Sequence, residues 1–331
     1  MRKVVGVIVV IFLIFIIYFY QQVNTTHDNA FGERQFIIEK GQGVEAIADN
    51  LQSQGFIKSP FWFKVYVASS GKRSEFVDGT FELRTDLSLK EIANFLTETM
   101  GAAKETEFTL LEGWSVEQMD ESLASEGLIK AGELIEYSDK FNDKSFFFLI
   151  DKPRSADLQG YLYPDTYRVY QNSSVGKIAE KMLSNFDSKL TDEIRKEIKR
   201  QGKTVFEVVT LASIVEKEMF GYKNRQVVAD IFNKRLEIGM ALQSDATVNF
   251  VTDKGIAAPS LVDTQVDSLY NTYKYPGLPP GPICNPSIEA IKAVVYPEKT
   301  NYWYFLNTPE GDIIYSKNHD EHVTNKYKYL K

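Results

Sequence analysis

The chain has 331 residues, 44% of them apolar and 25% charged, which predicts one to three folded domains and excludes a disordered or fibrous protein. Its 38 basic and 45 acidic side chains give a net charge of −7, and no Lys/Arg-rich run follows the first three residues, so a nucleic-acid partner is not expected. The single cysteine, Cys284, excludes an intramolecular disulfide and a cysteine-based metal cage.

The chain begins with an apolar segment, Val4–Tyr20, that contains no charged residue. As a helix it would cover about 25 Å of a hydrocarbon core roughly 30 Å thick. Arg2 and Lys3 precede it and no basic residue follows closely, so the N-terminus is predicted to be cytoplasmic. No small-residue cleavage site follows, which favours an uncleaved anchor over a signal peptide. We therefore predict a single-pass protein of the inner (cytoplasmic) membrane, with anchor residues 1–21, tether residues 22–35, and the rest extracytoplasmic.

Beyond the tether the sequence contains an internal repeat. Residues 36–58 and 108–130 align without a gap, and nine positions are identical. Each copy is predicted to form a strand, a glycine turn and an amphipathic helix that ends at a second glycine. A further strand and a helix with a Ser88–Glu91 capping box follow the first copy, so residues 36–103 are predicted to form a βααβ-like module. Such modules often bind glycans, but a scaffolding role fits equally well.

The remaining domain, residues 104–331, is predicted to be mainly helical with a C-terminal hairpin. The predicted helices cover residues 173–202, 204–221 and 224–238. A fourth helix is predicted with Asn285 as its N-cap and Pro286 at its first position. The two β-rich runs of residues 300–323 flank a Pro-Glu-Gly-Asp turn, which indicates the hairpin. The predicted fold class is α+β.

Two carboxylates, Glu216 and Glu218, lie at the end of the otherwise apolar segment 204–221. A rotation of 100° per residue places them about 80° to either side of the apolar stripe, so only one can face a given cleft. Burial at the margin of an apolar face raises the pKa of a carboxyl group, as a general acid requires. The periodicity does not choose between the two glutamates, and a solvated helix end without chemical function remains an alternative.

Two further segments carry polar and aromatic side chains. Residues 243–249 read QSDATVN, and Asn271, Thr272 and Tyr273 lead into a loop with four prolines. A loop of this composition needs a fixed, irregular shape, and with these neighbours it predicts a saccharide-sized cleft, although a plain surface loop is the alternative.

A group of tyrosines precedes the predicted helices. These residues are Tyr161, Tyr163, Tyr167 and Tyr170. Tyrosine rings suit sugar rings because they combine an apolar face with a polar rim, but alternating tyrosines are equally typical of a strand. We hypothesise that Tyr163 and Tyr273 line a sugar groove.

Other catalytic patterns are missing from the sequence. There is no glycine-rich phosphate loop before a helix and no G-x-S-x-G motif, and only three histidines are present. His319 and His322 form an H-x-x-H pair, but no motif supplies further ligands, so neither a metal nor another cofactor is predicted. Carboxylate chemistry is the option that remains.

Several of these segments occur in a fixed order that is specific to one family. The segments LQGYLYPDTYRV, TLASIVEKE, NRQVVADIFNKRLEIGMALQSDATV and YNTYKYPGLPPGPICNPS resemble the endolytic murein transglycosylases, the membrane-bound YceG-like lytic transglycosylases. The resemblance runs from about Phe36 to His322. It implies cleavage of the β-1,4 bond between N-acetylmuramic acid and N-acetylglucosamine within peptidoglycan strands, leaving a 1,6-anhydro end.

The resemblance also implies roles for individual residues. The family's single catalytic glutamate corresponds to Glu218, and Glu216 is then a structural residue. Gln243, Asp245, Asn271 and Tyr273 fall in cleft motifs and are assigned to binding substrate or orienting the glutamate. Residues 36–103 correspond to a LysM-like module, residues 104–331 to the catalytic YceG-like domain, and a transient peptidoglycan synthase is an implied partner.

Two alternatives remain open. A muramidase-type hydrolase would use Glu218 with water and Asp245 or Glu216, and would leave a reducing end. An anchored, non-catalytic peptidoglycan-binding protein would instead rely on the repeat, and Glu218 would merely end a helix.

Overall fold

The computed structural model describes residues 15–26, 32–98, 105–142, 145–170, 173–252, 254 and 259–330. The chain forms two compact units, Met1–Lys104 (the N-terminal unit) and Glu105–Lys331 (the C-terminal unit). Both combine helices with small antiparallel sheets, which confirms the α+β class. Residues 1–14 of the predicted anchor lie outside the described residues. None of the helices within the described ranges has both the length and the apolar character needed to cross a membrane.

Among its described residues, the N-terminal unit contains a two-stranded sheet and three α-helices that follow the helical residues 15–24. Its elements are β1 (Glu33–Ile38), α1 (Val44–Ser53), α2 (Pro60–Ser69), β2 (Gly79–Arg84) and α3 (Leu89–Glu98). The first four elements have the β-α-α-β order of the predicted module, but α2 was not among the individually predicted elements, which were a strand, a helix, a second strand and a second helix. The Ser88–Glu91 capping box is also present, because the Ser88 amide donates to the Glu91 carboxylate at 2.8 Å and the Glu91 amide donates to the Ser88 hydroxyl at 3.3 Å.

The predicted tether begins as ordered structure. Residues 15–24 are helical, and Val23 is buried in the same apolar cluster as Phe36 and Leu51. Thr26 pairs with Ser88 in an isolated β-bridge. The start of this segment therefore packs on the N-terminal unit, because an apolar side chain within the polar stretch reaches the core.

The C-terminal unit is larger and mainly helical. It begins with β3 (Glu105–Thr109), α4 (Val116–Ser125), α5 (Glu133–Lys140), β4 (Thr166–Tyr170), α6 (Val175–Lys189) and α7 (Asp192–Arg200). It continues with α8 (Val205–Glu218), α9 (Tyr222–Glu237), α10 (Asp245–Thr252), α11 (Ile288–Val295), β5 (Tyr304–Asn307), β6 (Ile313–Ser316) and α12 (His319–Tyr329). One apolar cluster joins β3, β4 and most of these helices, and residues 208–215 of α8 are buried at its centre.

Both copies of the repeat form a strand, a glycine turn and a helix. Phe36 pairs with Phe81 across the β1–β2 sheet, and Phe108 pairs with Tyr167 across the β3–β4 sheet. The turn glycine of the second copy, Gly113, has a φ of 77°, in the left-handed region that favours glycine. The repeat is thus a shared local structure that each unit uses separately.

Several elements of the C-terminal unit differ from the prediction. The helix predicted over residues 173–202 is two helices, because Leu190 leaves the helical conformation and the Thr191 hydroxyl caps α7. Asn285 is not an N-cap; Ser287 caps α11. The Asn285 amide oxygen instead accepts the Gly160 and Leu162 amides at 2.9 and 3.0 Å. The hairpin is confirmed by β5 and β6, but α12 directly after it was not predicted.

Candidate active site

Glu218 is the last residue of α8. The helix begins at a capping box formed by Thr204 and Glu207, and it ends because Met219 adopts an extended conformation. Met219 is buried, and Gly221 with a φ of 80° starts the turn into α9. The negative end of the helix dipole therefore lies near the Glu218 side chain, which disfavours its ionised form.

The carboxyl group of Glu218 is enclosed although part of the residue remains accessible. Burial, aided by the negative charge of Asp245, raises its pKa to about 7. The Ser244 hydroxyl donates a hydrogen bond to the Glu218 Oε1 atom. This bond, the Ala246 amide and the charge of Arg235 oppose the rise, but burial outweighs them. A carboxyl group with this pKa exchanges a proton readily at neutral pH, as a residue that acts first as an acid and then as a base requires.

A strained loop positions Ser244 against the glutamate. Gln243 has a φ of 52°, which is uncommon for a residue other than glycine, and its backbone amide donates to the Thr272 carbonyl at 3.1 Å. The Ser244 amide donates to the Thr272 hydroxyl at 3.0 Å, and the Thr247 hydroxyl donates to the Ser244 carbonyl at 2.8 Å. Two segments about 25 residues apart are thus held together by buried hydroxyl groups, and this fixes the Ser244 side chain.

The structure brings three of the predicted binding residues to this loop. The Tyr273 hydroxyl donates to the Asp245 Oδ1 atom at 2.5 Å. Burial and the Asp245 carboxylate raise the pKa of Tyr273 well above its usual range, so its hydroxyl stays neutral. The Gln243 side chain is exposed beside this pair. The loop that contacts Glu218 through Ser244 therefore also carries the Asp245–Tyr273 pair.

Asn271 holds the neighbouring loop. It is fully buried, and its amide nitrogen donates to the Thr264 and Val266 carbonyls at 3.0 and 2.9 Å. Its amide oxygen accepts the Tyr273 backbone amide at 3.1 Å. These contacts are with the protein backbone, so its position supports an orienting function acting through Tyr273.

Tyr163 lies in a different environment. It is buried, its carbonyl accepts the Tyr167 hydroxyl at 2.5 Å, and the Lys189 ammonium is 5.2 Å from its ring centroid. Burial raises its pKa to about 12, and the nearest backbone partner is Ile288 at the start of α11. None of the hydrogen bonds or ring contacts described for Tyr163 reaches Glu218, so its place in a sugar groove stays a prediction.

Glu216 is held in a closed network. Its Oε1 atom is 2.5 Å from the Arg225 Nη2 atom, and both side chains are only 6% exposed. Its Oε2 atom accepts the Ser287 amide at 3.0 Å and the Ser287 hydroxyl at 2.5 Å. Glu216 therefore ties the end of α8 to the start of α11, as its assignment to structural support predicts.

Three important residues received no assignment from the sequence. Ser244 and Thr272 stood out as polar residues, but nothing in the sequence indicated that they contact each other or Glu218. Arg235 is buried and donates to the Leu242 carbonyl at 2.6 Å, next to the strained loop. It also donates to the Trp303 carbonyl at 2.8 Å. The sequence did contain one indication that Arg235 is buried, because this basic residue lies within the apolar face of a predicted helix.

The histidine pair does not form part of a metal site in the described structure. Within the described ranges, no three His, Cys, Asp or Glu side chains come together as metal ligands. The His322 ring instead stacks on Tyr304 at a centroid distance of 5.1 Å. Burial lowers the pKa of His322 to about 4, so its ring is neutral near pH 7.

Comparisons with known proteins agree on one family. A sequence model of the YceG-like family matches residues 36–328. The endolytic murein transglycosylase of Bacillus subtilis is 32% identical over 305 residues, which cover 88% of this chain and 84% of that protein. The endolytic murein transglycosylase of Streptococcus pneumoniae is 28% identical over 319 residues; 88% of this chain is covered, and the match spans 58% of that relative.

A crystal structure supports the same relationship. The structure of a YceG-like protein from Listeria monocytogenes matches with a TM-score of 0.60 at 27% sequence identity. The match covers 90% of this chain and the whole of that chain. Sequence and fold therefore point to the same family.

Proposed function

The chain belongs to the YceG-like family, and we propose that it is an endolytic murein transglycosylase that cleaves peptidoglycan strands between N-acetylmuramic acid and N-acetylglucosamine. The observation that carries this proposal is the enclosed carboxyl group of Glu218, whose pKa burial raises to about 7. The family relationship supplies the substrate class, and the site supplies a group able to transfer the proton.

In the proposed reaction Glu218 acts twice. Its protonated form donates a proton to the glycosidic oxygen that leaves C1 of the muramyl residue. The resulting carboxylate then takes the proton from the C6 hydroxyl as that oxygen attacks C1, which closes the 1,6-anhydro ring. The proton returns to Glu218 and no water is consumed. A single carboxyl group suffices because the nucleophile belongs to the substrate, whereas an ordinary glycosidase needs two.

The surroundings of Glu218 support this double function. The Ser244 hydroxyl fixes one carboxyl oxygen and stabilises the carboxylate that forms after the first transfer. We assign Gln243 and the Asp245–Tyr273 pair to binding hydroxyl and acetamido groups of the sugar, because they carry hydrogen-bonding groups on the loop that contacts Glu218. Asn271 orients Tyr273 through its backbone amide. Each predicted residue around the loop thus has a proposed binding or orienting function.

The localisation is proposed from the sequence. The uncharged segment Val4–Tyr20 and the preceding Arg2 and Lys3 support a single-pass anchor in the cytoplasmic membrane with the enzyme on the extracytoplasmic side. Peptidoglycan is built on that side, so a peptidoglycan synthase is a proposed transient partner. The β-α-α-β order of residues 36–103 supports a LysM-like module that could bind glycan.

Product analysis tests the proposal directly. The full-length protein in detergent is incubated with uncross-linked glycan strands beside its Glu218→Gln variant, and products are identified by mass spectrometry. We expect internal cleavage that yields 1,6-anhydro-muramyl ends and is lost in the variant. Retained wild-type cleavage in the variant would reject Glu218 as the acid.

A hydrolase is the second candidate, and Asp245 is the observation that favours it. Its charge lies near enough to Glu218 to raise the pKa of that group, and a second carboxylate is what a muramidase requires. Reducing ends in the same experiment would identify this activity. Absence of cleavage by both proteins would favour an anchored binding protein.

A further inference from the structure

An aromatic surface forms where the N-terminal helical segment meets α2. The Trp62 ring contacts Phe15, Tyr18 and Phe19 at centroid distances of 5.6, 5.5 and 5.8 Å. Phe61 packs edge-on against the same ring at 4.9 Å. We call these five residues the Trp62 surface. It joins the end of the predicted membrane anchor directly to the N-terminal unit.

Residues that follow the Trp62 surface in the chain also attach the helical segment to the N-terminal unit. Val23, one turn further along, is only 3% exposed and belongs to the core cluster of the unit, against which Phe19 also packs. Thr26 is then paired with Ser88. The end of the helical segment is therefore fixed to the unit by side-chain packing and a backbone bridge.

The helical segment nevertheless exposes large apolar side chains on several faces. Their exposed fractions are 46% for Phe15, 45% for Ile16, 61% for Ile17, 49% for Tyr18 and 69% for Tyr20. Phe61, on α2, is 57% exposed beside them. A helix with apolar side chains on all faces needs an apolar environment. The uncharged run of sequence that begins at Val4 continues directly into this helical segment.

The chemistry of the surface fits the boundary of a lipid bilayer. Tyrosine and tryptophan are enriched where the hydrocarbon core meets the headgroups, because each combines an apolar ring with a polar atom. Lys58 and Lys64 flank the first turn of α2, where they can meet lipid phosphates. A folded unit attached this close to the end of an anchor has to lie at the level of the headgroups.

We propose that the Trp62 surface lies in the headgroup region of the membrane and holds the N-terminal unit against the bilayer in a fixed orientation. The proposal rests on the single-pass anchor proposed above. It assigns the first turn of α2 a membrane contact, which neither glycan binding nor cleavage requires.

Site-specific labelling of the full chain in lipid nanodiscs tests this contact. The native Cys284 is buried, so a cysteine introduced by Phe61→Cys can be labelled selectively with an environment-sensitive fluorophore. Because Phe61 is exposed, the substitution leaves the core intact. Ala68→Cys is the matched control, because Ala68 is exposed on the same face of α2 two turns further along.

The fluorescence of the two labels is compared in the presence of a lipid-bound quencher and of a water-soluble quencher. We expect lipids with a quencher near the headgroups to reduce the fluorescence at position 61 severalfold more than at position 68, and aqueous iodide to show the reverse order. If the protein elutes with the discs but iodide quenches both labels equally, the membrane contact of the Trp62 surface would be rejected. The membrane anchor would not be. Protein that elutes without discs would contradict both the membrane anchor and the contact of the Trp62 surface with the bilayer. The proposed enzymatic activity would still be tested separately by the product analysis.

Discussion

The pockets around Glu216 and Glu218 are built on the same helix end, two residues apart, yet they hold their carboxyl groups in opposite ways. Both oxygens of Glu216 have close partners, including the Arg225 guanidinium at 2.5 Å. Glu218 receives the Ser244 hydroxyl but has no ion-pair partner among the described residues. Residue type and position on a helix therefore do not decide which glutamate can exchange a proton.

The arginines of α9 explain the difference. Arg225 donates directly to Glu216 and to the Ser287 hydroxyl. Arg235 is equally buried, but its guanidinium donates to the Leu242 and Trp303 carbonyls instead. Its charge lowers the pKa of Glu218 without forming an ion pair, and burial still prevails. The pocket around Glu216 thus stabilises the fold, whereas the pocket around Glu218 leaves a carboxyl group that can titrate near neutral pH.

The largest expected effect is on turnover in Glu218→Gln. Loss of the proton donor should reduce the cleavage rate by about a thousandfold or more. The rate is measured from anhydro ends formed per enzyme, and circular dichroism verifies the fold. A reduction smaller than tenfold would contradict the assigned function of Glu218.

The same variant should be more stable than the wild type above pH 7. The pKa of Glu218 is raised from 4.5 to about 7 in the folded protein, so at higher pH folding buries a carboxylate that the unfolded chain ionises freely. Glutamine removes this penalty, which is on the order of 1–3 kcal/mol. The advantage should shrink as the pH falls from 7 towards 4.5, and chemical denaturation at pH 8 and pH 5 measures it.

Glu216→Gln should have the opposite effect on stability. It removes the buried partner of Arg225 and leaves that guanidinium paired with the exposed Glu289 carboxylate at 3.4 Å, which should lower the free energy of unfolding by about 3 kcal/mol. Cleavage by the protein that remains folded should stay within about threefold of wild type. Denaturation and activity measured at one temperature check both values. A stable but inactive variant would move the chemistry to Glu216.

Arg235 should influence the pH dependence of cleavage. In the proposed reaction the acid form of Glu218 is active, so cleavage should fall as the pH rises through about 7. The charged neighbours of Glu218 are Asp245 and Arg235, with the neutral Tyr273 beside them. Arg235→Met removes the positive charge and should move the fall to higher pH, whereas Arg235→Lys retains the charge and should leave it in place.

Arg235→Met loses the hydrogen bonds to the Leu242 and Trp303 carbonyls, and Arg235→Lys cannot reproduce the guanidinium geometry, so both variants should turn over about tenfold more slowly. Profiles of kcat/KM against pH separate the effects, with thermal stability as the control. If Arg235→Met is slower but its profile of kcat/KM against pH is unshifted, Arg235 supports only the structure and does not influence the pKa of Glu218.

The sequence located Glu218 through its family motif, but it could not assign the neighbours that determine its pKa. The α+β class, the repeat and the hairpin follow from local periodicity and turn residues, which a sequence displays directly. The contact between Ser244 and Thr272 joins segments 28 residues apart and depends on the strained backbone at Gln243. Asn285 was misread as a helix cap because its bonds to Gly160 and Leu162 cross more than 120 residues. Such long-range partners leave no local pattern.

The smallest effects should come from the two tyrosines predicted to line one groove, which have different surroundings: Tyr273 contacts Asp245, and Tyr163 contacts Tyr167 and Lys189. Tyr273→Phe removes the hydrogen bond to Asp245 beside Glu218, and should lower kcat/KM by about fivefold. Tyr163→Phe keeps the ring and its contact with the Lys189 ammonium, and should change kcat/KM by less than about twofold. Initial rates on the same glycan strands compare the matched pair. Equal losses would mean that substrate reaches both tyrosines, whereas a loss for Tyr273→Phe alone would confine it to the surroundings of Glu218.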